Sequence, residues 1–166
     1  MSHPETNMDI VVREAEPHQA PLIHRMVQAI AEDSGQGDRV VSSVEDIARD
    51  GFGDKRAFET LLACRGDRVV GMSLFYPEYS TWRGKRGCYL LDLYVIPEER
   101  SQGVGRLLVA ALARRARDQG AAYLRLSVDE HSSRALAFYR RLGFAELARD
   151  RMLLIEDRGF EAIASE

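Results

Sequence analysis

The sequence predicts an α+β fold, a mixed and mainly antiparallel sheet flanked by about four helices. Three observations carry that expectation. Short alternating or β-branched runs recur along the chain, the apolar period turns helical beyond Pro97, and a glycine-rich turn sits at that switch. A length of 166 residues suits one domain, expected over residues 1–166 with a core at about 9–157.

Residues 9–13 (D-I-V-V-R) read as the first strand. Pro17 suits the opening turn of a helix, in which Leu22, Ile23, Met26, Val27 and Ile30 recur at helical spacing until Ser34-Gly35-Gln36-Gly37 ends it. Ser42-Ser43-Val44-Glu45 is a capping-box pattern with Ser42 as the cap and Glu45 reaching back, opening a short helix to about Asp50 that Gly51-Phe52-Gly53 closes. Residues 58–64 and 69–76 are β runs joined by the hairpin-like Arg65-Gly66-Asp67-Arg68, and a third run, 88–95, stops before Pro97. Val104, Leu107, Leu108, Ala111, Leu112 and Ala116 then form one helical stripe finishing near Gly120. Residues 123–128 alternate as a strand, and 132–142 read as a helix stopped by Gly143. Residues 144–147 and 151–155 read as a final pair of strands. Residues 1–8 and the tail after Gly159 are expected to be mobile.

Composition narrows the function. With 23 Lys+Arg against 26 Asp+Glu the formal net charge is -3, and acidic residues interleave with Arg114-Arg115 and Arg140-Arg141, which read as solvated helix faces. No basic face is expected, so no nucleic-acid partner is either. No apolar run approaches the roughly 18 residues of a membrane span, and the first residues lack a basic-then-apolar leader, so no membrane partner and a cytoplasmic location are expected. Cys64 and Cys88, without a C-x-x-C spacing, read as small buried hydrophobes. His3, His18, His24 and His131 show no ligand spacing, so no metal is expected.

The most chemical stretch is Arg100-Ser101-Gln102-Gly103-Val104-Gly105, after a strand and at the start of a helix. Glycines let backbone approach a ligand, and the first N–H groups of a helix attract an anion, so the turn could cradle a pyrophosphate. Position 108 is Leu108, not the third glycine of a dinucleotide fingerprint, and no G-K-[ST] follows. Alone, the turn could also serve only to start a helix.

Its setting decides more. The order strand (90–95), Pro97, R-x-x-G-x-G turn, helix, strand, then Ala137-Phe138-Tyr139-Arg140-Arg141-Leu142-Gly143-Phe144 resembles the GCN5-related N-acetyltransferase (GNAT) family over about residues 10–155. The stretch E-D-I-A-R-D-G-F-G within 41–53, Tyr79-Ser80-Thr81-Trp82-Arg83-Gly84-Lys85, and Tyr89 to Val95 look like its diamine/polyamine and thialysine branch. The resemblance implies the acyl-CoA N-acyltransferase fold, acetyl-CoA as cosubstrate, a small primary amine as partner, direct transfer in a ternary complex, and a homodimer. It assigns the pyrophosphate turn to Arg100, Ser101, Gln102, Gly103, Val104, Gly105 and Arg106. The pantetheine segment falls to Ser132, Ser133, Arg134 and Ala135, where much of the family has Asn in place of Ser132.

Acetyl transfer to an amine needs a neutral nitrogen, a polarised carbonyl and a proton for the departing thiolate. An alkyl ammonium is neutral in about one part in 2,500 at pH 7, a deficit of about 4.6 kcal/mol, so something acidic should face the amine. Asp92, opposite Leu91 and Leu93 on an alternating strand, is a poor core residue and the candidate, acting through water or as a cation anchor. An Asp serving a strand irregularity fits the spacing as well. Tyr139 is the acid that the resemblance implies, protonated at neutral pH, although spacing alone also fits a ring packed beside Phe138. Backbone N–H groups of Leu93, Tyr94 and Val95 are expected to hold the oxyanion.

The amine pocket implied by the resemblance comprises Asp33, Ser34, Trp82, Leu91, Asp92 and Ser127. Leu91 stands where the polyamine branch carries a second acid, and Asp33-Ser34 where it tends to have Tyr-Glu. Asp33 and Glu130 compensate only partly, so a shorter diamine, thialysine or an amino-acid amine fits better than spermine. Trp82 walls that pocket or packs in a core. A non-catalytic acyl-CoA-binding module and a peptide or protein N-acetyltransferase are the alternative readings.

Overall fold

The computed structural model describes residues 9–147 and 153–165. The chain falls into two compact units, Met1–Ser132 and Ser133–Glu166.

In the first unit, β1 (Ile10–Glu14), β2 (Glu59–Arg65), β3 (Arg68–Ser80), β4 (Lys85–Val95) and β5 (Ala121–Arg125) form one sheet in sequence order. Every pairing is antiparallel except β4 with β5. The mixed, mainly antiparallel sheet is thus as the sequence predicts. Side chains alternate across a strand, so each β residue belongs to one face. On one face Leu62, Cys64, Met72 and Leu74 pack with Ile23 and Met26 of α1 (Ala20–Asp33) and Ile47 of α2 (Val44–Asp50). On the other, Ala63 and Val70 pack with Val104 and Leu108 of α3 (Val104–Asp118). Cys64 and Cys88 are free and buried, and burial pushes the Cys88 thiol up to about 12, so it stays protonated at neutral pH.

Several boundaries differ from expectation. The cap of α2 is Ser43, not Ser42: its Oγ accepts from the Asp46 N–H at 3.1 Å, and the Asp46 carboxylate accepts from the Ser43 N–H at 2.8 Å. The sequence carries the box in two registers, and the carbonyl of Ser42 is occupied by His24 Nε2 at 2.7 Å. β5 ends at Arg125 rather than 128, because its pairing with β4 runs only from Arg86↔Ala121 to Tyr89↔Arg125. Arg115 is no solvated arginine: it reaches Glu59, whose side chain is 9% exposed, at 2.7 Å.

In the second unit, α4 (Ser133–Arg141) ends at Gly143, which takes a φ of 96°. The expected strand at 144–147 does not form. The Phe144 N–H donates to the Tyr139 carbonyl at 3.1 Å and its ring meets Tyr139 edge-on at 5.5 Å, which closes a helix end instead of extending the chain. Residues 153–155 are also without regular structure, and Leu153 is 95% exposed; 151–152 lie outside the described residues. Residues 160–164 belong to α5 (Asp157–Ala164), whose Phe160 and Ile163 share a helical spacing. Residues 1–8 lie outside the described residues.

Candidate active site

The glycine turn is held in shape from three sides. Behind it, a single 3-10 turn, Pro97–Glu99, is clamped by Arg65, whose Nε and Nη2 donate to the two Glu99 oxygens at 3.0 and 2.8 Å. That pairing holds the Glu99 carboxyl below the usual range. Arg100 Nε donates to the Val95 carbonyl at 2.8 Å, its Nη2 meets Asp33 at 2.5 Å, and its guanidinium lies over the Tyr94 ring at 5.5 Å. Gln102 turns back to the Glu98 carbonyl at 2.8 Å. Val104, 1% exposed, seats the first turn of α3 on the sheet.

What remains for a ligand is backbone. Ser101 and Gly103 take positive φ values of 65° and 85°, and no side chain caps α3. Leu107 already donates to the Gly103 carbonyl at 3.0 Å, which leaves the preceding N–H groups of Val104, Gly105 and Arg106 at the positive end of a fifteen-residue helix. This donor set fits a diphosphate. Arg106 is exposed and has no ion-pair partner among the described residues, so it is the one arginine of the turn available to a phosphate. Arg100 and Gln102 shape the turn.

Beside it the sheet opens. The β4–β5 register stops at Tyr89↔Arg125, so the edge of β4 from Leu90 to Val95 that faces β5 has no strand partner among the described residues. The opposite edge remains paired, with Leu93, Tyr94 and Val95 opposite Ser73, Met72 and Gly71. An open parallel edge can accept an extended amide-bearing arm and present N–H groups to a carbonyl oxygen.

A bulge decides where Asp92 points. Leu74 pairs with Asp92 but Phe75 pairs with Leu90, so Leu91 is the extra residue and stands 51% exposed. Asp92 therefore shares the face of Leu74 and Tyr94, next to α1. Burial pushes its carboxyl above the usual carboxylate range. The irregularity that sequence offered as an alternative to function is thus present, and it is also what buries the carboxylate.

The same face carries residues that sequence reasoning missed. Tyr76 and Tyr89 stack with centroids 5.2 Å apart and planes 18° apart, and Arg125 lies over Tyr89 at 5.3 Å. Glu78 holds Arg125 at 2.6 Å, and Tyr89 Oη is 2.7 Å from Ser127 Oγ. Tyr76 and Glu78 sit at i and i+2 on β3, the one signal that could have placed them together.

Other expected pocket residues lie differently. Ser34 Oγ donates back to the Ile30 and Ala31 carbonyls at 3.2 and 3.0 Å, closing α1, and Asp33 is engaged by Arg100. Trp82, at the β3–β4 hairpin tip, is 99% exposed, so it does not pack in the core of the described residues. Glu130 is equally solvent-facing beside His131. Ser132 donates its N–H to the Asp129 carbonyl at 2.9 Å. In the second unit, Ser133, Arg134 and Ala135 open α4, and the Tyr139 ring sits edge-on to Phe138 at 5.0 Å and to Phe144. The packing reading of Tyr139 therefore holds for its ring, which leaves the role of its hydroxyl a separate matter. Among the described residues no group of three or more His, Cys, Asp or Glu is placed to hold a metal ion, and no helix is long and apolar enough to cross a membrane.

Known proteins resemble this chain. The chain is 37% identical over 146 residues to the thialysine N-epsilon-acetyltransferase of Bos taurus, covering 83% of this chain and 85% of that one. The Caenorhabditis elegans protein of the same name is 32% identical over 143 residues, covering 86% of each. An integron cassette protein from the mobile metagenome of V. cholerae superposes with a TM-score of 0.78 at 20% identity, over 96% of this chain and 99% of that one. A family model for the acetyltransferase (GNAT) family matches residues 24–144, which takes in both the glycine turn and the Tyr139 helix. A match of that extent, with relatives this similar over most of their length, means that the chain belongs to the acetyltransferase (GNAT) family.

Proposed function

We propose that the chain transfers an acetyl group from acetyl-CoA to the terminal amine of a small molecule, a thialysine-like amino acid or short diamine rather than spermine. The observation that carries the reading is the uncapped start of α3 beside the open edge of β4. The first suits a diphosphate and the second an extended thioester arm. The relatives named for thialysine acetylation support the substrate, as does Leu91 at the bulge, where a carboxylate would add attraction for a polycation.

Acetyl-CoA, when bound, supplies the acetyl group activated as a thioester. The chain supplies the rest. N–H groups of Val104, Gly105 and Arg106 hold the diphosphate, and Ser132, Ser133, Arg134 and Ala135 touch the pantetheine arm. N–H groups of Leu93, Tyr94 and Val95 hold the acetyl oxygen as negative charge grows on it. Asp92 accepts, through water, the proton that the ammonium gives up, and its raised pKa makes it a better base than an exposed Asp. Tyr139 Oη holds the proton that goes to the departing sulfur.

The protein acts as a homodimer in the cytoplasm. Leu153, Leu154, Ile155, Phe160 and Ile163 of the second unit are all more than half exposed, as interface residues are in a single chain. Two buried free thiols suit a reducing compartment. Sedimentation at micromolar concentration tests the dimer.

The activity is tested by CoA-thiol release against spermine, spermidine, putrescine, thialysine, lysine and a lysine-containing peptide, with Tyr139→Phe beside the wild type. Release with a small amine, reduced roughly 10²–10⁴-fold in the variant, is expected. Acetyl-CoA binding without release against any amine would leave only an acyl-CoA-binding module.

A further inference from the structure

The face that carries Asp92 also carries a cation with a donor edge to spare. Arg125 presents five N–H donors. Its Nε and Nη2 are spent on Glu78, at 3.1 and 2.6 Å, which leaves the Nη1 edge of a guanidinium whose side chain is 48% exposed. Glu78, 13% exposed, fixes the fork from below, and the Tyr89 ring supports its plane at 5.3 Å. An arginine held flat, oriented and half open is arranged as a carboxylate receptor.

Its position relative to Asp92 sets the length of the ligand. Tyr76, Tyr89 and Arg125 form a row across β3, β4 and β5, and Leu74↔Asp92 is the neighbouring pair on the same face. A strand rises about 3.3 Å per residue, so with Leu91 bulged the two rows are roughly 7–10 Å apart. An extended lysine-length side chain reaches about 6 Å from Cα to its terminal nitrogen, and a carboxylate on that Cα adds a further bond and a hydrogen bond. The stacked tyrosines border that span, an apolar wall for methylenes or a thioether.

We propose that Arg125 is the specificity-determining residue for the amine substrate. It binds the α-carboxylate of an amino acid of lysine length beside the Tyr76–Tyr89 stack while the terminal amine lies at Asp92, with Glu78 positioning the guanidinium. This rests on the acetyltransferase reading and goes beyond it, since it states why an amino acid is preferred to a diamine of equal length.

The test compares thialysine with bis(2-aminoethyl) sulfide, the same chain without the carboxylate, as the ratio of their kcat/KM values. Arg125→Gln and the doubly neutral Glu78→Gln/Arg125→Gln are used, the latter so that no buried carboxylate is stranded, and melting curves verify folding. The ratio should favour thialysine in the wild type and fall at least tenfold in both variants, chiefly through KM for thialysine. An unchanged ratio, or equal losses on both amines, would overturn the proposal. If the wild type acetylates neither amine, the acetyltransferase reading fails instead. Calorimetric binding of thialysine to the CoA-loaded protein then decides the carboxylate site: at least tenfold weaker binding in the variants supports it, and equal or undetectable binding in the wild type overturns it.

Discussion

Arg100 and Asp33, 67 residues apart in the chain, form an ion pair at 2.5 Å that joins the end of α1 to the glycine turn. Because the same guanidinium donates to the Val95 carbonyl, one side chain ties α1, the last residue of β4 and the glycine turn together. Sequence resemblance places Asp33 among the amine-binding residues; its partner Arg100 ties it to the glycine turn. Asp33→Asn should therefore raise KM for acetyl-CoA and leave KM for the amine nearly unchanged. The pair is half exposed, so the effect is about 0.5–1 kcal/mol, or roughly two- to fivefold. A change confined to the amine KM would return Asp33 to the amine pocket.

Asp92 is held by the bulge in a place that costs the fold something. Its folded pKa is raised by burial, so between the unfolded value and the folded one the native state binds more protons, and stability falls as pH rises through that window. Asp92→Asn, neutral at every pH, should be more stable than the wild type at pH 7, and the difference should vanish below pH 4. For a chain of this size each kcal/mol moves Tm by roughly 2–4 °C, so thermal melts at two pH values read it. The variant should lose the acidic limb of the kcat/KM profile together with most of its activity. A limb that persists would make Asp92 a cation anchor only.

Gly87 marks a close approach two residues before the strands part. A Cβ there would lie 2.2–2.6 Å from Tyr123 ring atoms, and that ring is already covered by the Arg83 guanidinium at 5.3 Å. Gly87→Ala must push Tyr123 aside, next to the Tyr89↔Arg125 pair where the opening begins. Overpacking of this kind costs about 1–3 kcal/mol. Paired with Tyr123→Leu, which frees the ring's outer edge, the loss should be smaller than the sum of the single losses, as a double-mutant cycle by denaturant titration would show.

The parts of this molecule legible in the sequence are those set by local signals. Pro97, the glycines and the change of apolar period locate the glycine turn and α3 within a residue or two. Partners far along the chain were not legible. The face of Asp92 depends on a bulge in the β3–β4 register, and register is a property of two strands together. Glu78 and Arg125 are 47 residues apart, and neither has a local motif. Residues 144–147 alternate like a strand, yet strand formation needs a neighbour, and the Tyr139–Phe144 closure supplies a local alternative.

Glu59 shows the same limit and carries the remaining prediction. It reads as one residue of a β run, but it is buried at the centre of a network that joins β2 to α3. Arg115 donates at 2.7 and 3.1 Å, Gln119 at 3.1 Å, and Arg56 lies at 3.3 Å. Burial alone would raise its carboxyl; the bonds from Arg115 and Gln119 outweigh it and hold it below its ordinary 4.5. The native state therefore binds fewer protons than the unfolded chain in that window. The network's contribution is complete above 4.5 and is lost as pH falls through the lower folded value. Glu59→Gln should cost about 1–3 kcal/mol at pH 7 and flatten the fall of stability in acid. The glycine turn, where we propose the diphosphate binds, lies at the other end of α3, so KM for acetyl-CoA should stay at the wild-type value. Urea titrations between pH 3 and 7 check the first two points, and a rise in that KM would show that α3 transmits the loss along its whole length.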